Sequence, residues 1–228
     1  KSGSDADKTG GAVVVEAGEG SVGGDVSIRS GNGVVSTGGT VSLSGGDGLV
    51  NGGDVNIGGG KATSGDAGSI NIEGGHSTAA NGGDATLIGG SSAQAAGGNV
   101  LVSSGRGESA SGSLKFVTAD NAQSSGDAII GTGDAASSGS VLISSGSSSE
   151  ADGAAGDILL QGGSGASGGS VNIASGIRGQ TSVVGGGIDV RTHVSDSTSG
   201  DISMMTGTGA HASGAVTVAS GDSKNVAG

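Results

Sequence analysis

One repeating unit runs along the whole chain: Gly, a small polar residue, an apolar residue, any residue, a second apolar residue, any residue, then Gly or Ser. Apolar residues at alternate positions have the two-residue period of a strand that buries one face. A strand of about five residues cannot bury that face by itself, so the repeat favours stacking of successive units. Fifteen units start at Gly11, Gly24, Gly39, Gly53, Gly68, Gly83, Gly98, Gly112, Gly126, Gly139, Gly156, Gly169, Gly186, Gly200 and Gly214.

The spacing of the units predicts how they would stack. Successive gaps run from 13 to 17 residues, and gaps taken in pairs sum to 28–30 residues, which is less variation than independent gaps would show. This predicts an all-β fold, a β-solenoid (β-helix) of about fifteen 14–15-residue units with two units, about 29 residues, in each coil. A coil of a single unit stays an alternative. The predicted domains are an N-terminal extension (1–10), a single β-solenoid (11–221) and a C-terminal extension (222–228).

The predicted core of the solenoid is thin. It consists of inward pairs such as Val26/Ile28, Val55/Ile57 and Val171/Ile173, and Phe116 is the only aromatic residue, although aromatic side chains normally supply the largest buried areas. Gly makes up 55 of 228 residues, and we expect it at tight corners, where a positive φ costs Gly little. No spacer shows the 3.6-residue stripe of a helix.

The charge balance limits the classes of partner. Nine basic and 21 acidic residues give a formal net charge of −12, which disfavours nucleic acid, because binding there requires Lys and Arg to replace counterions. Anionic membrane surfaces are disfavoured for the same reason, and no apolar run is long enough to cross a bilayer. The absence of Cys excludes disulfides and thiolate zinc sites. We therefore predict self-association, no nucleic acid and no membrane insertion.

Three outward apolar residues form the predicted interface. Leu101, Ile129 and Leu159 each lie between the two inward residues of a unit, and with two units per coil they would stack in adjacent coils on one face. A contiguous exposed apolar stripe usually marks an interaction surface. The alternative is that a few outward aliphatic residues are tolerated because they favour strands.

Regularly placed Asp residues are the one candidate for a metal site. Asp25, Asp54 and Asp84 each follow the first Gly of a unit and could form a ladder of carboxylates. Bound calcium would relieve the repulsion between their negative charges. The chain lacks the nine-residue calcium-binding repeat, however, and Asp next to Gly commonly hydrogen-bonds its own turn backbone. We therefore predict no cofactor and keep calcium as the alternative.

The sequence offers one weak candidate for a group of catalytic residues. His193, Ser195 and Asp196 hold base, nucleophile and acid in one spacer, but adjacency in sequence does not give triad geometry. Gly-x-Gly strings are followed by no helix that could face a phosphate group. The prediction is a protein that is not an enzyme, with no catalytic and no cofactor-binding residues.

The unit Ser138–Gly146 reads Ser-Gly-Ser-Val-Leu-Ile-Ser-Ser-Gly. It resembles the Gly/Ser-rich tandem repeats of secreted and cell-surface proteins of algae and other protists, and it is similar to repeat passages of bacterial adhesins. The resemblance covers the chain from Gly11 onward. It implies extracellular or cell-surface display and a scaffolding role, and it transfers no active-site residue.

Three functions compete on these observations. The first is a structural subunit of an extracellular fibril, appendage or surface layer, which assembles through uncapped solenoid ends and the apolar stripe. The second is an adhesin stalk or a module that binds a repetitive surface; mixed outward rows disfavour ice, and the lack of aromatic platforms disfavours polysaccharide. The third is a disordered linker, against which fifteen in-phase apolar pairs argue.

Overall fold

The computed structural model describes residues 9–121, 123–150, 152–176, 185–195 and 198–221. These ranges contain no helix and no strand: the backbone is irregular, with bends in the middle of most spacers, such as 34–36, 63–65 and 93–95. The chain divides into two units, Lys1–Lys115 and Phe116–Gly228. The predicted β-solenoid, or β-helix, is therefore wrong, whereas the prediction that the spacers form no helix agrees with the described residues.

In the first unit, each spacer from 18 to 112 is a closed loop. The N–H of the Gly that starts a repeat donates to the carbonyl oxygen of a Gly six to eight residues earlier, and we call the place where the two meet the neck of the loop. The donor and acceptor pairs are Gly24/Gly18 (3.0 Å), Gly39/Gly31 (2.9 Å), Gly53/Gly46 (2.8 Å), Gly68/Gly60 (2.9 Å), Gly83/Gly75 (2.8 Å), Gly98/Gly90 (2.7 Å) and Gly112/Gly105 (2.9 Å).

The second unit repeats this loop closure. Its necks join Gly156 to Gly146 (3.0 Å), Gly169 to Gly163 (2.8 Å) and Gly186 to Gly176 (3.4 Å). Within the loop 146–156 the chain turns once more, where the N–H of Gly153 donates to the carbonyl oxygen of Glu150 over 3.2 Å. The same local closure therefore recurs in both units.

The necks reveal a regularity that the variable spacing of the repeats conceals. Each repeat that lies between two necks has eight residues from the closing Gly of one loop to the opening Gly of the next, and the sequence can be divided in the same way from 11–18 through to 214–221. We call these eight residues an apolar segment and number them one to eight. The eighth is Gly in all segments except 112–119 and 186–193, which end on Ala119 and His193. All variation in spacing thus lies in the loops, and alternating loop lengths need no two-sided coil to explain them.

The described residues bury no side chain, hydrophobic or polar. The accessible surface of the chain is 22764 Å², whereas a compact monomer of 20.6 kDa exposes about 8,900 Å². A hydrogen bond at a neck contributes only about 0.5–1.5 kcal/mol, which is comparable with the backbone entropy lost by ordering a single residue, about 1–2 kcal/mol. The necks therefore shape each loop without drawing the apolar segments together into a core.

Gly is required at the necks because the two backbone segments that meet there approach too closely to leave room for a side chain. None of the described glycines has a φ in the left-handed region, so the predicted need for positive φ at corners is wrong. Instead, a Cβ at Gly59 would collide with the carbonyl of Gly68, and a Cβ at Gly68 would lie 2.9 Å from the backbone nitrogen of Gly60. The same collision recurs at the seventh residue of four other segments, namely Gly45, Gly74, Gly89 and Gly162.

A second type of neck carries a side chain at the seventh residue. The hydroxyl of Ser30 donates to the carbonyl oxygen of Gly39 over 2.9 Å, and that of Thr132 donates to the carbonyl oxygen of Gly139 over 3.3 Å. In this type the closing Gly leaves room for the opposite side chain, since a Cβ on Gly39 would lie 3.2 Å from the Cβ of Ser30. At Gly39 the hydroxyl thus adds a second bond across the neck, whereas at Gly139 the hydroxyl bond of Thr132 is not accompanied by a backbone bond in the described residues.

Replacing Ser30 by Ala tests that second bond. We expect Ser30→Ala to open the loop 31–39 slightly, by about 0.5 kcal/mol, because the lost bond is solvent-accessible. Hydrogen exchange of the Gly39 amide would measure the change. Ser104→Ala is the matched control, since Ser104 holds the same seventh position but its hydroxyl makes no hydrogen bond within the described residues. Equal effects of the two substitutions would contradict a role for the hydroxyl.

Candidate assembly surface

In most segments the third residue is the best shielded of the large apolar side chains, although in 98–105 Val102 (49% exposed) is slightly better shielded than Val100 (51%). Where this residue is Val, Ile or Leu, it is 45–56% exposed in every segment from Val26 to Val216, whereas Val13, which follows no closed loop in the described residues, is 81% exposed. A Cβ on Gly89 would lie 3.5 Å from Cγ2 of Val100, which places the third side chain beside the preceding neck. About half of this side chain is therefore covered, also in segments such as 200–207 that follow no neck hydrogen bond in the described residues, and the rest is open to a partner.

The outward residues of the predicted interface are each open to solvent. Leu101, Ile129 and Leu159 occupy the fourth position of their segments and are 87%, 89% and 81% exposed. Their predicted stacking in adjacent coils depended on the solenoid, which the described residues do not form. What remains is a set of exposed apolar residues at equivalent positions.

Leu142 belongs to the same set and was missed. It is the fourth residue of the segment 139–146 and is 86% exposed, but the two-sided coil had assigned it to the opposite face. Its position in the repeat was sufficient to find it. Segments 126–133, 139–146 and 156–163 thus follow one another in the second unit with Ile129, Leu142 and Leu159 at equivalent places.

An ion pair joins two charged side chains at the outward positions of the segment 186–193. Asp189 and Arg191 are the fourth and sixth residues of 186–193, and Oδ2 of Asp189 lies 2.9 Å from Nη1 of Arg191. This contact fits the alternating pattern, in which the fourth and sixth side chains leave an extended backbone on the same side.

Two uncharged segments each carry three consecutive apolar residues that are about half exposed or more. Residues 99–104 read Asn-Val-Leu-Val-Ser-Ser and residues 140–145 read Ser-Val-Leu-Ile-Ser-Ser, and both are free of Gly, Pro and ionisable side chains. Six-residue stretches of high β-propensity and low charge are typical of segments that pair between chains. One lies in each unit of the chain.

The Asp residues form no cluster in the described part of the chain. Asp25, Asp54 and Asp84 each hold the second position of separate segments, and the described residues contain no group of three or more His, Cys, Asp or Glu side chains that could hold a metal ion. Calcium stays an alternative that rests on the sequence pattern.

The described part of the His193 spacer, up to Ser195, shows no assembled catalytic group. Nδ1 of His193 lies 3.1 Å from the carbonyl oxygen of the adjacent Val194, and Asp196 lies outside the described residues. Ser195 is not without a partner, since it takes part in a polar or electrostatic interaction. The observed contact of His193 is thus with a neighbouring backbone atom.

Comparison with protein-family models, curated proteins and solved structures finds no match for this chain. Among the described residues there is no helix with the length and hydropathy needed to cross a membrane.

Proposed function

We propose that this chain is a structural, non-catalytic subunit of an extracellular fibril, appendage or surface layer. Copies associate through their apolar segments, which pair side by side between chains. The resemblance of the repeats to those of secreted and cell-surface proteins supports the extracellular setting. Assembly through solenoid ends is no longer part of the proposal, because the described residues form no solenoid.

The exposure of the apolar segments is the observation that carries the proposal. Each of the side chains Val100, Leu101 and Val102 exposes about half of its surface or more, and so does each of Val141, Leu142 and Ile143. A soluble monomer rarely leaves contiguous apolar surface uncovered unless that surface binds a partner. Unpaired backbone N–H and C=O groups in the same segments are a template for pairing with another chain.

A second copy is the partner that fits these segments best. Every segment has eight residues, so two copies can place equivalent third and fifth side chains opposite each other along the whole segment. Of the two uncharged segments with three consecutive apolar residues, 99–104 lies in the first unit and 140–145 lies in the second, so the chain is at least bivalent. A bivalent subunit can extend an assembly indefinitely, whereas a monovalent one stops at a dimer.

Charge sets the condition under which assembly should occur. Copies that each carry a formal charge of −12 repel one another, and salt screens this repulsion. We therefore expect assembly to increase with ionic strength as well as with protein concentration.

Electron microscopy of the full chain at several protein and salt concentrations tests the proposal. We expect filaments or sheets that increase with both variables and give a strand-spacing reflection at about 4.7–4.9 Å. Isolated particles under every condition would contradict the structural-subunit proposal. That result would favour a stalk or spacer, which requires length but no self-association.

A further inference from the structure

The pair Asn-Gly occurs three times, and each occurrence lies in a closed loop of the unit Lys1–Lys115. Each also adjoins the hydrogen bond that closes its loop. Asn32 directly follows Gly31, whose carbonyl oxygen accepts the hydrogen bond that closes the loop 31–39. Gly52 and Gly82 directly precede Gly53 and Gly83, whose N–H groups donate the hydrogen bonds that close their loops. The pairs are Asn32-Gly33, Asn51-Gly52 and Asn81-Gly82.

The Asn side-chain amides at these pairs are exposed, and neither they nor the N–H groups of the following Gly residues form hydrogen bonds within the described residues. The three Asn residues are exposed, and their side chains make no hydrogen bond within the described residues. The backbone N–H groups of Gly33, Gly52 and Gly82 likewise donate to no acceptor in the described part of the chain. Because Gly has no side chain, nothing shields its nitrogen from the preceding side-chain amide.

We propose that Asn32, Asn51 and Asn81 are self-modification sites that convert to Asp and isoaspartate. The backbone nitrogen of the following Gly attacks the side-chain amide carbon of Asn. A new C–N bond forms, the bond to the side-chain NH₂ breaks, and ammonia leaves with the proton from the Gly nitrogen. Water then opens the resulting succinimide ring at either carbonyl, which gives Asp or isoaspartate without any change of oxidation state.

Conversion at these positions alters the loop necks. Isoaspartate routes the main chain through the former side-chain methylene, so it lengthens the backbone by one carbon and adds a negative charge beside the closing hydrogen bond. The neck between Gly53 and Gly46 has its bond at 2.8 Å and tolerates little displacement, since a Cβ on Gly53 would already lie 3.1 Å from the nitrogen of Gly46. Modification of Asn51 should therefore open this loop.

The chain contains its own comparison sites. Asn56, Asn71 and Asn172 are also exposed, but each is the fourth residue of an apolar segment and is followed by Ile. The β-branched side chain of Ile is stiff and crowds the backbone nitrogen that would have to attack. These three Asn residues should keep their amides.

Incubation of the full chain in mildly alkaline buffer tests the proposal. Peptide mapping by mass spectrometry, with enzymatic carboxyl methylation to detect isoaspartate, would follow each Asn. We expect loss of the amide at Asn32, Asn51 and Asn81, and its retention at the three Asn-Ile sites. Retention at all six sites, or equal loss at all six, would overturn the proposal.

A single substitution separates the chemistry from the position in the loop. Gly52→Ala should fit, because the added Cβ would lie 3.8 Å from the carbonyl oxygen of Gly46, an ordinary contact. We expect it to protect Asn51 while Asn32 and Asn81 still convert. In the unsubstituted chain, exchange protection of the Gly53 amide should fall as Asn51 converts, whereas Gly68, whose loop has no Asn-Gly pair, should not change. Unchanged conversion of Asn51 in the variant would refute the mechanism.

Discussion

Replacing the four most exposed apolar residues at the fourth position by Asn is expected to abolish assembly at concentrations where the unsubstituted chain forms filaments. The residues are Leu101, Ile129, Leu142 and Leu159. Full burial of one such side chain contributes about 1.5–3 kcal/mol, and 1.4 kcal/mol corresponds to a factor of ten, so each substitution should weaken association about tenfold or more. Sedimentation of filaments as a function of total protein would measure the critical concentration.

Asn suits this experiment because it is already present at the fourth position of other segments, as Asn56, Asn71 and Asn172. It also leaves the net charge unchanged. The matched control replaces polar residues at the same position, Ser27, Ser42, Thr86 and Ser203, by Asn. We expect the control to assemble like the unsubstituted chain. A control that also fails to assemble would show that the fourth position matters for a reason other than apolar burial.

Gly59→Ala and Gly60→Ala are expected to have opposite effects, although the two residues are neighbours. A Cβ at Gly59 would collide with the carbonyl of Gly68, and this backbone atom cannot move aside without breaking the neck. Loss of a bond that contributes about 0.5–1.5 kcal/mol should lower the population of the closed loop roughly two- to tenfold. Hydrogen exchange and the temperature coefficient of the Gly68 amide would report the opening.

Gly60→Ala is the control for the same loop. A Cβ at Gly60 meets no atom within 4 Å, and the residue does not have a left-handed φ. Ala at a compatible position stabilises by about 0.4–1 kcal/mol, because it restricts the unfolded chain. We therefore expect slightly greater protection of the Gly68 amide in this variant. Equal loss of protection in both variants would refute close approach as the reason for Gly at the seventh position.

The candidate surface was named from the sequence alone. The alternating pattern assigned Leu101, Ile129 and Leu159 to the outward side, and they are exposed, but so are predicted inward residues such as Ile28 and Val218, because the described residues form no core. The pattern missed Leu142 because the alternating gaps were interpreted as two faces of one coil. The Asp189–Arg191 contact supports the direction that the alternation assigns to fourth and sixth residues.

The sequence by itself determined local features of this protein: the position of the loops between the apolar segments and the absence of helix from the described residues. These features depend on neighbours a few residues apart, such as Gly59 and Gly68. Only the tertiary structure decided whether the segments pair within the chain. Pairing requires a second backbone at about 4.7–4.9 Å, supplied from far along the sequence, and alternation is the same whether or not that backbone is present. The hydrogen bonds at the necks are local, and in the described residues the apolar segments form no strand and stay open to another chain.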